Sequence, residues 1–341
     1  MKEGIPIFIS GAAGFIGFHL ARRLLEAGRP VVGVDNLNEY YDVNLKKARL
    51  KRLKALEGFE FVEADIADGR AVEKIFQKHS FEKVLHLAAQ AGVRYSLTHP
   101  QAYVQSNLAG FLNVLESCRR HRPQHLVFAS SSSVYGANKK IPFSEHDGVN
   151  HPVSLYAATK RANELMAHSY AHLYGTPCTG LRYFTVYGPW GRPDMALFLF
   201  TKAILNDVPI EVFNHGNMER DFTYIDDVVE GTLRVLQRPP TADPNWDARA
   251  PDPASASAPF RIYNIGNNSP VHLMSCIEIL EECLGKKSVK NYREMQPGDL
   301  PQTYADISDL AKDFSWRPKT SLKEGISRFV QWYREYYSVL G

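Results

Sequence analysis

The chain has 341 residues, 44% of them hydrophobic and 23% charged, and a formal net charge of +3. That balance is ordinary for a globular enzyme and removes any general electrostatic reason to expect a nucleic-acid or membrane partner. Its four cysteines, Cys118, Cys178, Cys276 and Cys283, form no CxxC pair and show neither zinc nor disulfide spacing, so reduced, packed thiols and no metal are expected.

The first predicted element is a strand over residues 5–10, which begins the chain in place of a signal peptide. It leads into GAAGFIG, with Gly11, Gly14 and Gly17, and a helical pattern over 14–27 follows at once. A second strand, 31–35, ends on Asp35, eighteen residues after Gly17. Glycines allow a tight turn, close approach of a pyrophosphate and tight helix–strand packing, and the helix start supplies free N–H groups and a positive dipole end. An acid at the end of the second strand accepts hydrogen bonds from the adenosine ribose and repels a 2′-phosphate, which favours NAD over NADP. Asp65 and Ile66, after a strand at 59–64, are placed by the adenine. Leu87, Ala88 and Ala89, after a strand at 84–87, give small side chains where backbone passes close to the cofactor.

Between 45 and 54 runs LKKARLKRLK, basic and amphipathic, read as a solvated helix face. Helices are predicted at 72–79, 100–120 and 155–174, and further strands at 125–130 and 178–183. This alternation means βαβ units and a parallel sheet wound in both directions, a Rossmann-type α/β fold, with ligands beyond the carboxyl ends of the strands. The cofactor domain is assigned to 1–184, with segments near 214–237 and 260–270 returning to it. Residues 185–341 form mainly a smaller substrate-binding region. Residues 238–259, rich in Pro, Ala and Asp, read as a solvated surface excursion.

Two YxxxK strings occur. Tyr135 to Lys139 is broken by Gly136 and followed by Pro142, whereas Tyr156 and Lys160 lie on a helix, where i and i+4 share a face. A lysine ammonium there stabilises the phenolate, lowering a pKa that is about 10 for the free phenol. The serine run Ser130–Ser133, at the end of the fifth strand, offers a hydroxyl to a reacting oxygen. His168 and His172 share i,i+4 spacing but have no third ligand beside them, so an exposed or interface helix face is expected.

The strings GAAGFIG, LAAQAGVRYS, SSSSVYG, YAATK, RYFTVYGP, ERDFTYIDDV and QPGDLPQTYAD resemble, nearly end to end, the extended short-chain dehydrogenase/reductase family. DNLNEYYDVNL and TVYGPWGRPDM are most similar to its UDP-glucuronate 4-epimerase branch. The resemblance implies Tyr156 as base, Lys160 as its partner and Ser131 as the hydroxyl bonding the sugar oxygen. It adds Phe15, Ile16, Asn36 and Tyr183 to the cofactor contacts, and places a UDP-sugar against Arg94, Ser132, Ser133, Thr185, Arg192, Arg220, Gln296 and Asp299. Arg293 is a further candidate. Arg220 resembles a diphosphate ligand; Thr185 and Arg192 are assigned to a sugar carboxylate, which calls for arginine. Gln296 departs from the arginine common in related chains. The implied reaction is C4 epimerisation of UDP-glucuronate to UDP-galacturonate through a 4-keto sugar, in a homodimer paired through the helices near 100–120 and 155–174; the cysteine usage and the strand-like start place it in the cytoplasm. A UDP-glucuronate decarboxylase shares the cofactor and base residues, and a galactose-type epimerase or an NAD-binding regulatory protein are the other readings.

Overall fold

The computed structural model describes residues 4–296 and 298–338. Six strands alternate with helices in the first half. The strands are β1 (Ile7–Ser10), β2 (Val31–Asp35), β3 (Phe59–Glu63), β4 (Lys83–His86), β5 (His125–Ser131) and β6 (Cys178–Tyr183). The helices are α1 (Phe15–Glu26), α2 (Val43–Lys54), α3 (Gly69–Lys78), the short α4 (Tyr95–Thr98) and α5 (Pro100–Tyr103), α6 (Gly110–His121) and α7 (Leu155–Tyr174). Then follow β7 (Thr185–Tyr187), α8 (Ala196–Leu205), β8 (Ile210–Phe213), β9 (Glu219–Tyr224), α9 (Ile225–Gln237), β10 (Phe260–Ile265), β11 (Pro270–His272), α10 (Leu273–Leu284), β12 (Lys290–Arg293), α11 (Ser308–Phe314) and α12 (Leu322–Tyr337).

The central sheet runs β10-β6-β5-β4-β1-β2-β3, and every pairing in it is parallel. A parallel sheet is covered on both faces, which is why β1 reads as an unbroken apolar run, Ile7, Phe8 and Ile9, before Ser10. Ile7, Ile9, Leu85, Val127 and Leu181 face one core, and Phe8, Val84, Leu126 and Phe128 face the other. The winding reverses between β1 and β4, so their carboxyl ends open a crevice. A three-stranded sheet, β11-β9-β7, and a two-stranded one, β12-β8, build the second lobe. The chain returns to the large sheet through α9, packed on α1, and through β10, paired with β6.

Three segments depart from the sequence reading. The helix expected over 100–120 is divided: between α5 and α6 the chain forms a π-helix, Val104–Ala109. Its wider turn aims Asn107 inward, where Oδ1 accepts from Gln90 N (2.8 Å) and Nδ2 donates to Thr159 Oγ1 (3.0 Å) on α7. Helix α2 is not simply a solvated basic face. Arg49 is fully buried and donates to the carbonyls of Ala13, Trp190 and Gly191, tying the glycine turn to the second lobe. The excursion at 238–259 is solvated only in part, since Ala254, Ser255, Ala256 and Ala258 are buried and Ile262 N donates to Ala254 O (2.9 Å). Among the described residues no helix is long and apolar enough to cross a membrane.

Candidate active site

Gly11 adopts φ +74°, and a Cβ there would stand 2.8 Å from Ala88 N. A Cβ on Gly17 would lie 2.1 Å from Gly11 O. The turn therefore accepts only glycine at these positions. Gly14 caps α1 with no side-chain hydrogen bond, leaving the first N–H groups of the helix directed into the crevice. Asp35 closes the far side. Its Oδ2 accepts from Ala13 N (3.1 Å) and its Oδ1 from Leu37 N (2.9 Å), and each oxygen keeps a lone pair for another donor. Burial raises the Asp35 pKa, opposed by these bonds and by the Lys46 charge. Asn36 Nδ2 donates to Asp65 Oδ2 (3.0 Å), and the N–H groups of Leu87 and Ala88 are held on Ser10 Oγ (3.1 and 3.2 Å).

All the cofactor candidates line one cavity of about 1190 Å³: Gly11, Gly14, Phe15, Ile16, Gly17, Asp35, Asn36, Asp65, Ile66, Leu87, Ala88, Ala89, Tyr156, Lys160 and Tyr183. A glycine turn that a methyl group would block, a helix start and a terminal carboxylate fit a dinucleotide pyrophosphate and ribose.

The catalytic candidates meet the cofactor candidates at the end of β5. Ser154 caps α7 by accepting from Ala157 N (3.1 Å), which places Tyr156 in the first turn. Lys160, one turn on, is buried and donates from Nζ to Ala129 O (2.9 Å). Burial pulls its pKa down to about 8. Ser131 Oγ lies 3.2 Å from Ser133 Oγ and accepts from Ser133 N at the same distance. Opposed influences act on the Tyr156 phenol. Burial holds its pKa above the ordinary value, and the opposing influences are a hydrogen bond with Ser131 and the charge of Arg192. Lys160 donates one of its three N–H groups to Ala129, and it shares with Tyr156 one face of α7 and the lining of the cavity.

Arg94, Ser132, Ser133, Thr185, Arg192, Arg220 and Asp299 line the sugar side of the same cavity. Arg94 pairs with Asp299 (2.9 Å) and lies over the Phe213 ring at 4.5 Å, bridging the two lobes. Arg220 Nη1 donates to the carbonyls of Glu219 (2.9 Å) and Pro301 (3.2 Å). Burial lowers its pKa; Asp299 opposes this and Arg94 adds to it. Two guanidinium groups in one partly dry corner are a receptor for a polyanion. Gln296 and Arg293 depart from the expectation. Neither is among the lining residues; Gln296 O accepts from Asp299 N in a turn (3.2 Å), and Arg293 pairs with Glu211 on the surface (2.5 Å). Pro297 of the same motif lies outside the described residues.

The sequence reading missed Tyr40, Lys46 and Asp194. Lys46 Nζ donates to Asn38 O (2.6 Å) and Oδ1 (2.8 Å) beside Asp35. Asp194 takes Arg192 by Nε (3.0 Å) and Nη2 (2.5 Å), and accepts from Tyr40 OH (3.0 Å). Both Tyr40 and Asp194 lie in the two most specific strings, DNLNEYYDVNL and TVYGPWGRPDM, but neither was singled out within them. Among the described residues no cluster of His, Cys, Asp and Glu has the makings of a metal site.

The sequence pattern of the NAD dependent epimerase/dehydratase family matches residues 7–266. The chain is 54% identical over 333 residues to Protein CapI of Staphylococcus aureus, covering 98% of this chain and 99% of that one. It is 49% identical over 330 residues to a probable UDP-glucuronate 4-epimerase of Rhizobium meliloti, covering 96% and 97%. The crystal structure of UDP-glucuronic acid 4-epimerase from Bacillus cereus, in complex with UDP-glucuronic acid and NAD, matches with a TM-score of 0.87 at 33% identity, over 98% of this chain and 100% of that one.

Proposed function

We infer that this chain, which belongs to the NAD dependent epimerase/dehydratase family, is a UDP-glucuronate 4-epimerase that interconverts UDP-glucuronate and UDP-galacturonate. One observation carries the reading: a single cavity joins the glycine cradle, the Tyr156–Lys160 face of α7 and the Arg192 guanidinium. NAD, when bound, supplies the acceptor and then the donor of the C4 hydride. Asp35 selects against a 2′-phosphate, and the α1 start holds the pyrophosphate.

Tyr156 takes the proton from the sugar O4 and later returns it, so the residue ends each turnover as it began. Ser131 bonds the same oxygen. Lys160, one turn on from the tyrosine and anchored on Ala129, supplies a positive charge that favours the phenolate, and Arg192 adds to it. Arg220 and Arg94 hold the diphosphate, which gives the 4-keto sugar a fixed end about which to turn. The keto group lies β to the carboxylate, so the intermediate is prone to lose CO2. Arg192, Thr185, Ser132 and Ser133 restrain the carboxylate; a charge-assisted hydrogen bond is worth about 1.5–3 kcal/mol, enough to bias its orientation.

Residues 1–184, with α9 and β10, form the cofactor domain in this reading, and most of the remainder receives the nucleotide sugar. Leu112, Leu165, Leu173 and Tyr174, exposed on α6 and α7, fit the seam of a homodimer. Four free thiols fit the reducing cytoplasm. The test is incubation of purified protein with UDP-glucuronate and no added NAD, followed by chromatographic separation. UDP-galacturonate is expected. UDP-xylose as the main product selects a decarboxylase, and turnover of UDP-glucose alone selects a galactose-type epimerase.

A further inference from the structure

Arg192 does not meet the cavity as an unpaired cation. Its Nε and Nη2 are both taken by Asp194 (3.0 and 2.5 Å), and Tyr40 OH holds the same carboxylate from the opposite wall (3.0 Å). All three side chains line the cavity. A substrate carboxylate that reaches Arg192 therefore meets a guanidinium already engaged by another carboxylate. Planar two-point pairing is the strong mode of arginine–carboxylate recognition, and here a resident acid occupies one of the two edges that can make it, Nε with Nη2. The incoming group is left the Nη1–Nη2 end of a guanidinium whose charge Asp194 already offsets, together with the repulsion of that second carboxylate.

This arrangement matters because the proposed reaction turns the 4-keto sugar between two hydride transfers. The carboxylate must be recognised on entry and released for rotation. An arginine with no resident anion beside it would recognise it and then resist the turn. We propose that Asp194 is a positioning residue that competes with the substrate for Arg192, keeping the grip on the sugar carboxylate weak enough for the intermediate to rotate. The inference rests on the reading that Arg192 receives that carboxylate.

Asp194→Asn in the NAD-loaded enzyme tests it, with KM and kcat measured for UDP-glucuronate and calorimetric affinity measured for UDP-glucuronate and neutral UDP-glucose. Removing the like charge is expected to tighten UDP-glucuronate roughly tenfold, with kcat lowered by a similar factor. UDP-glucose affinity should stay within about twofold, since no carboxylate is involved. A residue that merely braces the arginine predicts the reverse, a raised KM, and that result, or an unchanged one, overturns the proposal. Equal changes for both sugars overturn it too. Tyr40→Phe, which loosens Asp194 without deleting it, should move KM and kcat in the same directions by less, and decides the matter if the aspartate variant does not fold. Arg192→Ala separates the two levels. If it leaves the preference for UDP-glucuronate over UDP-glucose unchanged, the carboxylate reading of Arg192 is wrong; if that preference collapses while Asp194→Asn tightens nothing, only the competition fails.

Discussion

A methyl group at position 17 would sit 2.1 Å from a backbone oxygen and 2.8 Å from its carbon, atoms that move only with the whole turn. Gly17→Ala should therefore displace the start of α1, at a cost of about 1–3 kcal/mol typical of overpacking. Thermal melting reads that loss, and the NAD retained through purification should fall with it. Tyr156 makes a different prediction. Tyr156→Phe removes the proton carrier but leaves ring and packing, including the edge contact with Tyr103 at 6.0 Å. Turnover should drop by roughly 10²–10⁴, the usual worth of a general acid–base, with UDP-sugar affinity nearly intact. Full activity in this variant would rule out the phenol as base. At this scale legibility followed chain distance. The glycines, Asp35 and the Tyr156–Lys160 pair were readable because each pattern is local. Tyr40 stands 154 residues from its partner Asp194, and nothing in either neighbourhood announces the contact.

Helix α7 shows how an element serves the site. Tyr156, Lys160 and Glu164 recur at a spacing of four and share one face. Glu164 is fully buried, accepts from Ser130 Oγ (2.6 Å) on β5, and takes both ends of Arg182 on β6 (2.9 and 3.0 Å). This pair pins the helix to the strand ends that carry the reacting groups. Arg182→Met leaves the buried carboxylate only Ser130 and Arg161 (2.9 Å) and should cost near the lower end of the about 3–5 kcal/mol of a broken buried pair, whereas Glu164→Leu with Arg182→Met should recover part of that stability. Urea unfolding of the two variants measures both. If the single variant loses nothing, the pair does not lock α7. The sequence made the helix and the strands visible through their periodicity, but not this pair, because the partners meet only once β5 and β6 align. The π-helix escaped for a related reason. Its apolar spacing passes for an ordinary helix, and the buried Asn107 that rewards the wider turn finds its partners on the 90s loop and on α7.

For the molecule as a whole, acid should be the weak direction. Three imidazoles are enclosed by the fold: His19 against Pro189 O, His86 against Ser10, and His125 between Leu236 O and Thr179. Burial pulls them down to about 3, about 3 and about 4. Once unfolded, each takes up a proton near about 6.5, so unfolding binds protons throughout the interval between and stability falls as pH drops below that value. Glu145 works against them. Burial raises its pKa to about 7, so the folded chain keeps a proton that the unfolded chain releases down to about 4.5, and this contribution grows as pH falls. These four groups together take up near two protons on unfolding around pH 5.5, a contribution of about 2.7 kcal/mol per pH unit; His168, whose pKa burial lowers, adds to it, and His146, raised against its burial by its carboxylate partners, opposes it. Urea midpoints measured at pH 7, 6 and 5 should fall progressively, most steeply over the last step. Substituting Gln for His125, whose ring nitrogens already serve as hydrogen-bond partners of a carbonyl and a hydroxyl, should flatten the slope by about one proton. A stability profile level between pH 7 and 5 would mean that these imidazoles are not enclosed as a group, and with it would fall the picture of a sheet sealed on both faces beneath the site.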